Sequence, residues 1–231
     1  FSSPQNFQPF ILVSVITSAA LIPILLTKKK PPTFKRIKAM TLKNLYEASP
    51  FGMVSSFFYG TIQSALFTLL AVYATSMNFT ILEVSIVTFL LAVSGAVAQF
   101  PVGKISDVYD RRKVIIASTF GAAIFALITI FVSGQMYLPD GLATSKKWFY
   151  IFFILFSFCS LPMFSLILAH TNDYITKDKF VAAGAGLQFT FGLGAMSGPF
   201  LCSIFMDLVG SNGFFVFLFF FHSLIGAFGI Y

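Results

Sequence analysis

GKISDVYDRRK, residues 103 to 113, is a short basic stretch set between two apolar runs, Ser85 to Val102 and Val114 to Val132. A helix rises about 1.5 Å per residue, so about 20 apolar residues cross a hydrocarbon core of about 30 Å. Lys104, Arg111, Arg112 and Lys113 in the connection hold it on the cytoplasmic side by the positive-inside rule. The stretch therefore reads as a turn joining two antiparallel membrane helices.

The same alternation continues in both directions. The charge-poor runs are Phe10 to Leu26, Phe51 to Thr75, Val84 to Val102, Val114 to Val132, Trp148 to Ala169, Phe180 to Met206 and Gly213 to Tyr231. A composition of 57% hydrophobic and 10% charged residues, with a mean hydropathy of +0.88, lies far from that of a soluble domain. Backbone amides inside hydrocarbon have no water partner, which leaves helices or a closed barrel, and the two-residue alternation of a barrel is absent. An all-α, polytopic bundle of seven transmembrane helices is expected, with no separate catalytic domain.

The fifteen Lys and Arg residues set the topology. Seven lie in residues 27–50 (Lys28, Lys29, Lys30, Lys35, Arg36, Lys38, Lys43), four in 103–113 and two, Lys177 and Lys179, in 170–179. The alternate loops hold only Lys146 and Lys147. The three basic loops are therefore cytoplasmic, and the first span runs from outside to inside. The net charge of +7 is accounted for by orientation and by anionic membrane lipid, without a nucleic-acid partner. Linker residues Phe34, Ile37, Met40 and Leu45 fall at roughly helical spacing among cations, which fits an interfacial helix or a disordered tether equally well.

The chain opens on Phe1, and Phe1 to Gln8 lacks the basic start, apolar core and cleavage site of a signal peptide. This stretch reads as an extracytoplasmic loop, with sequence expected upstream and a short cytoplasmic tail expected downstream. Cys159 and Cys202 both lie within spans and offer neither a disulfide framework nor a metal-site spacing.

GKISDVYDRRK resembles the signature loop of the major facilitator superfamily: Gly, an aliphatic residue, a small residue, Asp, and an Arg-rich end. In that family the loop recurs between helices two and three and between eight and nine, and the numbering fits the second copy. The resemblance implies that residues 1–26 hold the last helix of an N-terminal half (transmembrane over 10–26). It implies that 27–50 is the inter-half linker and 51–231 a six-helix C-terminal half. SPFGMVSSFFYG, AHTNDY and FVAAGAGL are similar to the YcaD-like branch of bacterial transporters. The implied activity is secondary transport of a small solute by alternating access in a bacterial inner membrane. The implied protein is a monomer, with a coupling proton or ion among its partners and no cofactor.

Gly103, Asp107, Arg111 and Arg112 are the residues the resemblance assigns to a conformational latch, with Gly103 expected to let two helices approach closely. The chain departs from the pattern at Val108, where a basic residue is usual, and at Asp110, where Gly is usual. These departures leave a second reading open, a transporter-like sensor or scaffold. Catalysis is not expected, because no clustered intramembrane His, Asp, Glu or Ser stands at catalytic spacing.

GLGAMSGP, residues 192–199, places Gly194 and Gly198 in a GxxxG step, with Gly192 and Pro199 adding a thin face and a bend. Close packing and a gating flexure both fit. Polar groups within spans are costly in lipid and point toward a central cavity. Tyr59 and Gln63 share a helix face with Ser56 and Phe67, while Gln188 and His222 stand on other helices. Each reads either as pathway lining or as an interhelical hydrogen bond. No Asp or Glu sits mid-span, so a proton-coupling group is expected in the other half of the carrier, or else at His222. Pro162 is expected to kink its helix near Ser160.

Overall fold

The structure is a computed structural model and describes residues 7–26, 40–134 and 142–231. The helices are α1 (Gln8–Ala19), α2 (Ile22–Leu25), α3 (Leu42–Ala48), α4 (Pro50–Ser76), α5 (Ile81–Val108), α6 (Arg111–Gly134), α7 (Leu142–Ser160), α8 (Met163–Asn172), α9 (Phe180–Val209) and α10 (Gly213–Ile230). A turn of 3-10 helix, Lys177–Lys179, precedes α9. No strand occurs among the described residues. The chain divides into two units, Phe1–Arg36 and Ile37–Tyr231.

Six stretches in the second unit are long and apolar enough to cross a membrane: Pro50–Ser76, Ile81–Val108, Arg111–Gly134, Lys146–Asn172, Lys177–Val209 and Gly213–Ile230. The seventh expected span, Phe10 to Leu26, is not one long helix. It breaks after α1 at Ala20 and Leu21 and resumes as the four residues of α2. Pro23 explains the position: it has no N–H to give the carbonyl of Ala19, where α1 stops. Linker positions Phe34 and Ile37 lie outside the described residues. The part of the linker that is described forms α3, capped by Thr41, whose hydroxyl accepts from the Asn44 amide at 3.2 Å. Leu45 of α3 is buried, against Gly186 of α9.

The charged stretch is less of a loop than its composition suggests. Gly103 to Val108 complete the last turns of α5, Arg111 opens α6, and only Tyr109 and Asp110 lie between. Hydropathy marks where hydrocarbon ends, whereas the backbone keeps its hydrogen-bond ladder past that point into water. Asp110 caps α6, its carboxylate accepting from the Lys113 amide at 3.2 Å. The departure from Gly at this position thus has a local role.

Pro162 breaks its span as expected: α7 ends at Ser160, and α8 starts at Met163. Pro101 and Pro199, by contrast, sit inside unbroken helices. Within the second unit α4 packs along α9, and α6 packs between α7 and α10. The core at the end away from the basic loops is aromatic. Tyr73 stacks on Phe214 at 5.1 Å between ring centres and meets Phe215 edge-on at 5.0 Å. Phe149, Phe153 and Phe156 follow each other down α7, all fully buried. In lipid such rings gain little from leaving water, so this core is held by packing and ring geometry. Phe67, Phe89, Phe100, Phe131, Phe189 and Phe200 are exposed on the outside of the unit.

Candidate functional site

Six helices place their ends at the side bearing the basic loops, and the charged stretch ties five of them together. Arg111 donates from Nη2 to Asp107 Oδ1 at 2.9 Å, joining α6 to the last turn of α5. Its Nε lies 3.0 Å from Asp173 Oδ2, the residue that ends α8. One guanidinium therefore bridges two carboxylates on different helices, a task its planar fork suits and an ammonium does not. Asp107 is two-thirds exposed, so its pair alone is worth about 0.5 kcal/mol. The bridge fixes geometry more than it adds stability.

Arg112 turns the other way. Its Nε donates to the carbonyl of Gly229 on α10 at 2.8 Å, and its guanidinium lies over the ring of Phe51 on α4, 5.6 Å from the centre. Asp107, Arg111 and Arg112 are thus brought together with three partners that the sequence does not single out: Asp173, Gly229 and Phe51. Asp173 carried a signal, being an acid in a basic loop on the same side. A backbone carbonyl carries none. Gly103 makes no close approach: an added Cβ would meet nothing within 4 Å. The charged end is held by side chains, so the glycine there is not needed for helix contact within this unit.

The glycine-rich helix shows a sharper division. A Cβ on Gly194 would strike the backbone carbonyl of Phe57, and one on Gly198 the carbonyl of Thr61 and the hydroxyl of Ser64. Gly60 answers from α4, where a Cβ would strike the carbonyl of Phe191. Backbone meets backbone along this seam, the close packing that small residues permit. Ser56 adds a hydrogen bond from α4 to the Leu187 carbonyl at 2.8 Å. Gly192 stands apart, half-buried with open space where a Cβ would be, and does not share the thin face expected of it. Three residues after Gly192 would return to the same side only near Ala195, which is also half-buried.

The polar residues expected to line a pathway do not share one surface. Tyr59 is fully buried, and its hydroxyl donates to the carbonyl of Leu161 at 3.2 Å, at the break before Pro162. His222 is fully buried as well, with Nδ1 2.8 Å from the Leu218 carbonyl and Nε2 2.9 Å from the Ser160 hydroxyl. A carbonyl only accepts, so Nδ1 carries a proton, and Nε2 shares a hydrogen bond with the Ser160 hydroxyl. Thr119 on α6 donates to the His222 carbonyl at 2.8 Å. Tyr59 and His222 are interhelical pins. The face of Ser56, Tyr59, Gln63 and Phe67 is accordingly divided: two residues turn inward, Gln63 is half-buried and Phe67 is exposed. Gln188 is exposed on α9, beside Phe189. The reason is rotational. Helical spacing shows which residues share a face, but the face itself turns to whatever neighbour packs best.

At the opposite end, Glu83 and Lys146 form an ion pair of 2.7 Å that is largely withdrawn from solvent and joins α5 to α7. Glu83 also closes a capping box with Thr80, accepting from the Thr80 amide at 2.7 Å. Lys146, expected in a loop, lies instead within α7 over the ring of Phe79. No group of three or more His, Cys, Asp or Glu placed to hold a metal occurs among the described residues.

Comparison with known proteins places this geometry. The Major Facilitator Superfamily model matches residues 52–231. The chain is similar to YfkF, an uncharacterised MFS-type transporter of Bacillus subtilis (strain 168), with 26% identity over 186 residues, covering 77% of this chain and 44% of that protein. It is similar to YE1530, an uncharacterised MFS-type transporter of Yersinia enterocolitica, at 26% over 157 residues, covering 68% of this chain and 37% of the relative. A third relative is MJ1560 of Methanocaldococcus jannaschii, of the same description, at 27% over 143 residues, covering 62% and 34%. The chain spans less than half the length of these relatives. No solved structure matches it. The YcaD-like branch remains an expectation from the sequence. A family model that covers most of the chain, six apolar helices and transporter relatives lead to one conclusion: this multi-pass membrane chain belongs to the Major Facilitator Superfamily, a family of transporters.

Proposed function

We propose that the protein is a secondary carrier of a small solute, working by alternating access in a bacterial inner membrane. In this reading residues 51–231 are the C-terminal six-helix half, 27–50 the linker and 1–26 the last helix of the other half. The protein works as a monomer, without a cofactor and without catalysis, and a coupling proton or ion is a partner. The supporting observation is the bridge from Arg111 to Asp107 and Asp173, with Arg112 bound to Gly229. These bonds cross helix ends that must shift if the cytoplasmic side opens. They hold the helix ends in one geometry and are exposed enough to break. Gly194 and Gly198 supply a rigid seam between α4 and α9, about which a half can move as one body.

The test is tracer uptake by the full-length protein in proteoliposomes under an imposed proton gradient. Saturable accumulation supports the carrier. Specific solute binding without any flux would sink it and favour a sensor or scaffold, the reading kept open by Val108 and Asp110.

A further inference from the structure

Two groups at the basic end, Arg112 and His170, have no carboxylate bonded to them in the network just described. Arg112 gives its Nε to Gly229, but among the described residues no carboxylate lies within ion-pairing distance of it. The nearby acids are engaged elsewhere: Asp173 and Asp107 by Arg111, Asp110 by the Lys113 amide. His170, on α8, is only 4% exposed, yet neither ring nitrogen takes a hydrogen-bond partner among the described residues. Its ring meets Phe51 edge-on at 5.3 Å and Tyr174 edge-on at 5.0 Å. The ring nitrogens are not among the fully buried polar atoms that lack a partner, so a polar group entering the adjoining space can reach them.

Both groups line the same cavity. It has a volume of about 200 Å³ and is walled by Ser49, Pro50, Phe51, Arg112, His170 and Tyr174. That is below the range of about 300 to 1,000 Å³ in which drug-sized ligands sit, and holds about six waters' worth of volume. A guanidinium, an imidazole and a phenol from α6, α8 and the turn after it converge on this space, with no carboxylate among its walls. The free Nη groups of Arg112 present parallel donors suited to two oxygens of one tetrahedral anion.

We propose that this cavity binds a phosphate-type oxyanion through Arg112, His170 and Tyr174. The anion is either free phosphate or the phosphate of a lipid headgroup, which share the same tetrahedral oxygens. Bound there, it clamps α6 to α8 and to the start of α4 beside Ser49, and so strengthens the closed arrangement of the charged end. The site itself does not depend on the transport reading, because binding is measured without flux.

The experiment uses the full-length protein, purified in maltoside micelles free of phosphate and of added lipid. Its thermal midpoint is followed during titration with sodium phosphate against sodium chloride at equal ionic strength, and in a second arm with short-chain phosphatidylglycerol. A ligand that binds only the folded state raises the midpoint saturably. A rise with phosphate alone identifies the free anion, and a rise with the lipid alone identifies the headgroup. In either case His170→Gln and Tyr174→Phe should each weaken the apparent affinity about tenfold, the loss of one charge-assisted or strong polar bond. Tyr174 is exposed and keeps its ring contact as Phe, so this variant decides the matter even if His170→Gln does not fold. Absence of a rise in both arms, or affinities in Tyr174→Phe and any folded His170→Gln equal to the parent's, overturns the proposal.

Discussion

The Nε2 atom of His222 lies 2.9 Å from the hydroxyl of Ser160, so the last residue of α7 is pinned to α10 beside the break at Pro162. This bond favours reading the buried histidine as an interhelical pin. A ring with both nitrogens engaged and no exposure has no water with which to exchange protons. His222→Asn in the full-length carrier should therefore leave the pH profile of uptake where it is. A displaced profile would restore His222 as the coupling group. Ser160→Ala should lower thermal stability by about 0.6 to 2 kcal/mol, the range for polar bonds between membrane helices.

The seam between α4 and α9 separates three glycines that look equivalent in sequence. Gly198→Ala drives a methyl into the Thr61 carbonyl, and overpacking of this kind costs about 1 to 3 kcal/mol. Gly194→Ala should behave alike against Phe57. Gly192→Ala meets open space and should stay within about 0.5 kcal/mol of the parent, or gain slightly from helix propensity. Thermal unfolding of the three variants checks the order, and equal losses at Gly192 and Gly198 would refute this packing.

The double bridge at Arg111 depends on the shape of the guanidinium. Arg111→Lys retains the charge but cannot hold Asp107 and Asp173 at once, so uptake should slow nearly as much as in Arg111→Ala. Asp107→Ala should also slow uptake while leaving membrane insertion intact. Rates per inserted molecule in reconstituted vesicles provide the comparison. Full activity in Arg111→Lys would show that charge alone suffices.

At the far end, Glu83→Gln separates two roles of one side chain. Glutamine can still close the capping box with Thr80 but cannot pair with Lys146. A double-mutant cycle of Glu83→Gln and Lys146→Met should give a coupling of about 1 kcal/mol, at the upper end for pairs near the surface because both side chains are largely covered. High salt should reduce it. A coupling near zero would mean that the pair adds nothing beyond the cap.

Much of the architecture was legible before any coordinates. The apolar runs from Phe51 to Tyr231 correspond to the six long helical stretches, displaced at their ends by a few residues, as at Val102 against Val108 and Met206 against Val209. Pro162 marks a true break, and so does Pro23 in the first run, where hydropathy does not register a missing N–H. The pairing of Asp107 with Arg111 follows from a spacing of four residues. The partners of Arg112 do not follow from any spacing, since Gly229 lies 117 residues away and offers only its backbone.

What the sequence determined by itself is the class of the protein and its division into membrane helices. Those depend on the thickness of hydrocarbon and the cost of charge within it, and both act on composition residue by residue. Only the tertiary structure decided which polar side chains meet: that Tyr59 and His222 turn inward, that Gly198 touches another backbone while Gly192 does not, and that Arg112 and His170 face one cavity. These depend on how each helix is rotated about its own axis. That rotation is set by the shape of its neighbours, which no single helix carries in its own sequence.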